Sequence, residues 1–567
     1  MTRVSRIAIV YAVTIVAVGA VAQQAQIVET TVDVQILAIS DFHGALEPQS
    51  GGTGRIGSID AGGIEYLAAH LARLKATNPN TVIVSAGDNI GGTPLLSSLS
   101  HDEASVEALN LAGLQVSALG NHDLDEGWWE LYRIQKGGCH PVDGCQDGTP
   151  FAGAAFTYLA ANVTLDPRRA DPALLARAGV QGSDPRPLLP AYTVREVSGV
   201  RIGFIGLILK EAPEMIIPAS TRGLIFGPEA ESINEAARAL RERGVRAVVV
   251  LIHQGAETAG SGINGCEGMS RGFVSLVDRM SDEVDVVVSG HTHLAYNCVI
   301  GGKVVTSAAS NGRLITDIDL RIQRSDGEVL SKSARNVVVT RDVPKDPGQA
   351  ALIAHYRPVV ERVGTRVVGA ITGDLTRIAR GAGESALGDV IADALLEGTK
   401  KTSAGRADVA FWNPGGIRAD LVASAGSAAT PVTYAQLFSV LPFGNEIIVK
   451  SVTGDTILRF LEQQFGAERQ RIMQVSSGFT YAYDPSRPRG ERIVRSSVRI
   501  NGAPLVPDQR YRVVTSNFLW GGGDDNTALG TATDPVTMGI DVDVVADYFS
   551  SHSPVEPGPQ DRIRQVR

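Results

Sequence analysis

Gly87-Asp88-Asn89 and, further along, Gly120-Asn121-His122-Asp123-Leu124-Asp125 decide how the chain folds. Each stretch follows a run with the composition of a buried parallel strand: Thr81-Val82-Ile83-Val84 before the first, Gln115-Val116-Ser117-Ala118-Leu119 before the second. In both, a glycine lets the chain turn sharply, and a residue able to hold a metal ion comes next. Three more apolar runs end alike. Gln35-Ile36-Leu37-Ala38-Ile39 leads into Asp41-Phe42-His43, Ala247-Val248-Val249-Val250-Leu251-Ile252 into His253, and Val284-Asp285-Val286-Val287-Val288 into Gly290-His291-Thr292-His293. Open α/β sheets hold their ligands at the carboxyl ends of the strands, so five strands ending in Asp, Asn or His mark one site.

The residues gathered this way are Asp41, His43, Asp88, Asn121, His253, His291 and His293. Zinc, manganese, cobalt and iron accept such a mixture of carboxylate, amide and imidazole ligands. One ion is expected on Asp41, His43 and His293, a second on Asn121, His253 and His291, and Asp88 between them. Two ions about 3.5–4 Å apart clamp a phosphoryl group and generate hydroxide at neutral pH. Taken singly, a DxH or GHTH motif equally fits a histidine that caps a strand or ties down a loop. The conjunction carries the inference, because five of the ten histidines directly follow strand-like runs. His122 should project beside Asn121 towards a substrate. A histidine oriented by a carboxylate is suited to donate a proton or to stabilise charge on a transferring phosphoryl group. Asp125 is the expected partner and Asp123 the alternative, with plain helix capping open to either.

With 567 residues the chain exceeds one hydrophobic core, and two to four domains are expected. An apolar fraction of 44% and a charged fraction of 20% are those of a globular protein. A net charge of −9 argues against a nucleic-acid polymer as partner. Arg3 and Arg6 precede an apolar run from Ile7 to Ala22 that ends in Ala20-Val21-Ala22, a small-x-small cleavage signal. Residues 1–22 are therefore expected to be a removed signal peptide, the run being short for a bilayer span of about 20 residues. With no apolar anchor near Arg567, the expected location is periplasmic or extracellular, without a stable membrane anchor. An even number of cysteines fits that compartment. The expected pairs are Cys139–Cys145, within one Gly-rich loop, and Cys266–Cys298, flanking the last two metal motifs.

Residues 30–340 alternate strand and helix, with helices expected from Gly62, over 103–111 and over 229–243, the last carrying Ile233, Ala236, Ala237 and Leu240 on one face. Alternation implies βαβ units and a largely parallel, helix-covered sheet. Between Gly137 and Pro190, Gly, Pro and Ala break the pattern, as in an elaborated surface loop. The turn-rich Asp342-Val343-Pro344-Lys345-Asp346-Pro347 opens a linker, 341–366, in which Leu352, Ile353, Tyr356, Val359, Val360 and Val363 mark one face of a connector helix. A second, smaller α/β domain is expected over 367–567, with helices at 385–396 and 455–465 and strands at 409–411, 446–449 and 512–514. No internal repeat is visible.

The ordered set DxH, GDN, GNHD, H and GHTH resembles the calcineurin-like metallophosphoesterases, and residues 33–530 together resemble the secreted 5′-nucleotidase family. The resemblance implies a four-layer αββα dimetal domain, a connector helix and an α/β substrate-binding domain that can rotate against the first. It implies the seven ligands above and His122 with Asp125 as the catalytic dyad; Asp123 stands where many relatives have Glu. In the second domain Asn413-Pro414-Gly415-Gly416-Ile417-Arg418 resembles the loop whose arginine contacts the substrate phosphate. Pro442-Phe443-Gly444-Asn445 and Asn517-Phe518 resemble loops whose phenylalanines sandwich the base, and Asp524 matches a ribose-binding carboxylate. A π face accepts any base, at about 1–3 kcal/mol per stacked base in single-strand binders. Arg377 and Arg380 are further candidates for the phosphate. Pro414, in place of a usual glycine, and Asp525-Asn526, in place of a Gly-aromatic pair, lie where base and sugar would be read.

The expected activity is phosphate release from nucleoside 5′-monophosphates, metal-bound hydroxide attacking phosphorus. The alternatives are a 2′,3′-cyclic nucleotide phosphodiesterase with 3′-nucleotidase activity, a UDP-sugar pyrophosphatase, a hydrolase of a carrier-bound sulfur ester, or a secreted nucleotide binder without chemistry. The oligomeric state is left open.

Overall fold

The apolar runs that precede the motifs become strands of two six-stranded sheets. The computed structural model describes residues 30–566 except 261, 402–404 and 467–469; the expected signal peptide lies outside the described residues. In the first sheet Thr31–Ile39, Thr81–Ser85, Val116–Ala118 and Thr157–Leu159 run parallel, and Leu314–Gln323 and Val329–Val338 extend it antiparallel. In the second, Val200–Ile208, Ala247–His253, Val286–Ser289 and Lys303–Ala308 run parallel between antiparallel edges Tyr192–Val197 and Ala295–Ile300.

Side chains alternate across a strand, and here both faces are apolar. Val34, Ile36 and Ala38 pack with Phe204, Val249 and Leu251 between the sheets. The intervening Leu37 and Ile39 pack under the helix Ile64–Lys75 with Leu67 and Leu71. On the far side Val248, Val250 and Ile252 meet Ile233, Ala237 and Leu240 of the helix Glu229–Glu242. The result is four layers, αββα. These are the four layers that the resemblance implied; the alternation alone read as one largely parallel sheet, because strands apolar on both faces can be covered by a second sheet as well as by helices. Truncating Phe204, which is fully buried between the sheets, to alanine is expected to cost about 3–5 kcal/mol.

The stretch from Gly137 to Pro190 is more than a loop. It contains the sheet strand Thr157–Leu159, the strand Val163–Leu165 and the helix Pro172–Ala178. Three-residue strands are too short to show a period, which hid them. The same stretch holds the Cys139–Cys145 disulfide, and Cys266 is bonded to Cys298; both pairs are those expected.

The connector helix is Pro347–Gly364, started by Asp346, whose side chain accepts from the Gln349 N–H. Ile353 and Tyr356 face the core, but Val363 is 43% exposed and does not belong to the buried face. Beyond it a five-stranded sheet runs in the order Gln474–Val475, Val409–Trp412, Arg510–Ser516, Glu446–Thr453, Thr533–Ile540. The helices Ala386–Gly398 and Asp541–Ser551 cover one face, and Gly454–Gln463 the other. Among the described residues, no helix is long and apolar enough to cross a membrane.

Candidate active site

All seven candidate ligands lie where strands of the two sheets end, on the rim where the sheets meet. Their backbone is unusual: Asp41, His43, Asp88, His291 and His293 have φ of 50°, 47°, 51°, 72° and 59°, in the left-handed region. Non-glycine residues seldom sit there, though Asp, Asn and His tolerate it best. Gly87, at φ 96°, and Gly120 let the two motif turns touch, and a Cβ on Gly120 would run into Asp88.

The side chains converge. Nε2 of His253 is 3.1 Å from Asp88 Oδ2 and 3.0 Å from Asn121 Oδ1, and His291 Nδ1 is 3.1 Å from the same Asn121 oxygen. His43 Nε2 is 3.5 Å from Asp88 Oδ2 and 3.2 Å from His293 Nε2, which in turn lies 3.5 Å from Asp41 Oδ1. Asp41, His43, Asp88 and His293 each bring one donor atom within 4.8 Å of all the others. The second nitrogens are already engaged. His43 Nδ1 bonds the Gly91 carbonyl at 2.8 Å, and His253 Nδ1 bonds the Ala86 carbonyl at 2.9 Å. A carbonyl on one nitrogen fixes the proton there and turns the other lone pair inward, as metal-binding histidines require.

Without a cation this cluster is electrostatically inconsistent. Burial pushes the Asp41 carboxyl up to about 7, while its Oδ2 is buried with no hydrogen-bond partner. Burial, followed by the positive charge of Arg418, holds His43 and His293 well below the usual histidine value. Burial also opposes charge on His253, but Asp88 outweighs it and raises that ring to about 9. An orphaned carboxylate oxygen, inward lone pairs and mixed O/N donors fit divalent cations. The residues present therefore suit a metal.

His122 bonds Asp125 through Nδ1, 2.9 Å from Oδ2. Asp123 points the other way. Its carboxylate accepts the backbone N–H groups of Asp88, Asn89, Ile90 and Gly120 and the Tyr158 hydroxyl. Of the two aspartates, then, Asp125 partners the histidine and Asp123 staples the two motif turns. Asp102, not singled out in the sequence, acts likewise on Gly91, Thr93 and Ser97.

The second half closes over this rim. Arg418 Nη2 donates to His43 Nε2 at 3.1 Å, and the Phe443 ring stacks on His122 with centroids 5.3 Å apart and planes 20° off parallel. A cavity of about 750 Å³ lies between the halves, with Arg377, Asn413, Arg418, Phe443, Phe518 and Asp524 on its walls. Asn413 Nδ2 donates to Asp524 at 2.9 Å. Asn445 also borders the cavity, but its amide is spent on Asp541 at 3.2 Å, so it braces the Phe443 loop. Arg380 is a correction: it is exposed, its backbone bridges Glu384, and it is not on the cavity wall. Arg471, overlooked in the sequence because no motif surrounds it, borders the cavity 3.5 Å from Asp524.

Paired sheets with ligand-type side chains converging on their rim define a metallophosphoesterase, a metal-dependent phosphoester hydrolase. Residues 34–162 match the family description "Calcineurin-like phosphoesterase", and residues 367–531 match "5′-nucleotidase, C-terminal domain". The chain belongs to the 5′-nucleotidase family. It is 30% identical over 541 residues to endonuclease YhcR of Bacillus subtilis, covering 94% of this chain and 41% of that one. It is 31% identical over 545 residues to cell wall protein Lmo0130 of Listeria monocytogenes, covering 90% and 67%. Among solved structures, the 5′-nucleotidase precursor of Thermus thermophilus superposes with a TM-score of 0.76 at 27% identity, over 94% of this chain and 99% of that one. This chain thus spans less than half the length of YhcR.

Proposed function

We propose that this chain is an exported phosphohydrolase that binds two divalent cations and releases phosphate from nucleoside 5′-monophosphates. The observation that carries the proposal is the meeting of Arg418 with His43 beneath a cavity walled by Phe443 and Phe518. A positive group from one half, set against the ligand cluster of the other, suits a phosphate held between them, with the rest of the nucleotide in the cavity.

Asp41, His43 and His293 would hold one cation, and Asn121, His253 and His291 the other, with Asp88 shared. Cations bound there supply charge that polarises the phosphoryl group and acidifies the attacking water. Arg418 pairs with a phosphate oxygen; its burial and the nearby Arg377 lower its pKa to about 10, so it stays cationic at neutral pH. Burial disfavours a charged His122, yet Asp125 and Asp88 outweigh it and raise the ring above the usual histidine value. It can thus offer a proton to a phosphoryl or leaving oxygen, while Asp125 fixes its orientation. Phe443 and Phe518 offer faces to the base, and Asp524 accepts from the sugar hydroxyls.

The test is phosphate release from 5′-AMP by chelator-stripped protein, with manganese, zinc or cobalt added back. Metal-dependent release is expected. No release from 5′-AMP while an aryl phosphodiester is cleaved would replace this reading with a diesterase.

A further inference from the structure

Ser100–Asp102, Glu126 and the Cys139–Cys145 loop bring a second group of ligand-type side chains together in the first domain, with Glu126 also bordering the cavity. His101 stands at its centre. Its Nδ1 is 2.8 Å from Glu126 Oε2, and its Nε2 is 2.9 Å from Asp143 Oδ2. The His140 ring lies flat on it, with centroids 3.6 Å apart and planes 17° off parallel, and His140 Nδ1 is 3.1 Å from Asp143 Oδ2. The two imidazoles are mostly covered, with side chains 18% and 10% exposed, whereas Glu126 and Asp143 are open to solvent at 44% and 49%.

We infer that His101, Glu126 and His140, with Asp143 beside them, form a further binding site for a divalent transition-metal cation of the zinc type. Donor atoms of His101, Glu126 and His140 already lie within 4.8 Å of one another. Ligands of a tetrahedral zinc with bonds of about 2.0–2.1 Å stand about 3.3 Å apart, so the set closes once the stacked rings turn out of parallel and aim their in-plane lone pairs at one point. Two imidazoles and carboxylate oxygen are the donors that zinc takes most readily. The supporting carboxylate is in place as well, since Asp143 can accept the second N–H of His101 and so fix its tautomer.

The proton is the competing occupant. A neutral imidazole has one N–H, but His101 faces a carboxylate on each nitrogen, so only a proton or a metal ion satisfies both. Burial opposes charge on His101, yet Glu126 and Asp143 outweigh it and raise the ring to about 9. Burial, then the charge of His101, holds the stacked His140 below its ordinary value. Arg177 donates to His140 Nε2 at 3.3 Å and the Asp143 backbone N–H to its Nδ1 at 3.2 Å, so an ion on His140 takes the place of one of these two donors. One protonated ring leaves two carboxylates under-compensated, whereas a divalent ion neutralises both. The pieces are pre-positioned: His101 and Asp102 take left-handed φ of 49° and 62°, and the disulfide closes the His140 loop to a separation of six residues. Glu126 follows Asp125 in the chain, so an ion here would tie the disulfide loop to the turn that carries the dyad.

The experiment is metal analysis of the full chain, dialysed against micromolar zinc and then zinc-free buffer, beside His140→Ala and His140→Gln. Wild type is expected to retain one zinc ion more than either variant, with 5′-AMP turnover unchanged. With cobalt in place of zinc, the visible absorption of one tetrahedral ion should be absent from both variants. The comparison reads a difference, so it stands whatever number of ions the candidate active site holds. Equal zinc content in all three proteins, with His140→Gln melting like wild type, would overturn the inference and leave His101 a protonated link between Glu126 and Asp143.

Discussion

Asp123 and Asp125 stand two residues apart in one turn, and their substitution should separate two kinds of failure. Asp125→Asn keeps the shape but weakens the hold on His122 Nδ1, 2.9 Å away; kcat should fall by about 10²–10⁴-fold with KM little changed. Asp123→Asn instead sets an amide against four backbone N–H groups. Its main effect should be a loss of about 1–3 kcal/mol of stability, read as a lower melting temperature. The reverse pattern would exchange the two roles. Phe443→Ala should raise KM several-fold for 5′-AMP and leave hydrolysis of a small aryl phosphate unaltered; equal damage to both would count against a base platform. At this scale the ligand types could be seen in the sequence, because each lies at or just beyond the end of an apolar strand. Asp125 faces His122 as expected, but the residue types alone leave Asp123 open, since both are carboxylates in one short turn. Arg380 and Arg471 show the same blindness: side-chain direction on a loop has no period to betray it.

The elements that the sequence announced best are those buried on both faces, since Ala247–His253 and Val286–Ser289 are nearly continuous apolar runs. Thr157–Leu159 escaped because three residues within an alanine-rich stretch carry no pattern. The pairing of the two sheets was legible only through the resemblance, because a strand covered by a sheet and one covered by helices have the same composition. The helix Asp541–Ser551 offers a test at this level. Asp541 accepts from the N–H of Val542 and the amide of Asn445, and burial raises its carboxyl to about 7. An unfolded carboxyl releases its proton near 3.8. The protonated form therefore stabilises the fold fully below that value, and its contribution is lost as pH rises through about 7. Asp541→Asn should accordingly gain melting temperature relative to wild type between pH 5 and pH 8. A difference independent of pH would show that the carboxylate is accommodated there.

Across the whole molecule the site belongs to neither half alone. Arg418 and Phe443 reach the histidines of the first domain from the second, so a change in how the halves meet changes the proposed phosphate pocket and leaves the candidate ligand cluster intact. The resemblance supplied this division of labour; composition and periodicity, which act over tens of residues, carried no information about it. The ligand cluster also couples to global stability. With Asp41 Oδ2 buried and unpartnered and five ligand positions in left-handed backbone, removing cations by chelation should lower the melting temperature by several degrees and abolish hydrolysis together. A metal-free protein that melts as high as the loaded one would sever that link.

Those five left-handed residues have an evolutionary consequence. Backbone held there by a non-glycine side chain costs about 1 kcal/mol or more per residue, so selection for a tougher fold alone would drift towards glycine at Asp41, His43, Asp88, His291 and His293 and erase the rim. In metal-free buffer His293→Gly, at φ 59°, should melt at or above wild type, and with metal restored it should melt below it. Ranking variants of the bare chain by stability would thus select against the rim, and the optimum for the proposed ion-loaded protein lies elsewhere in sequence.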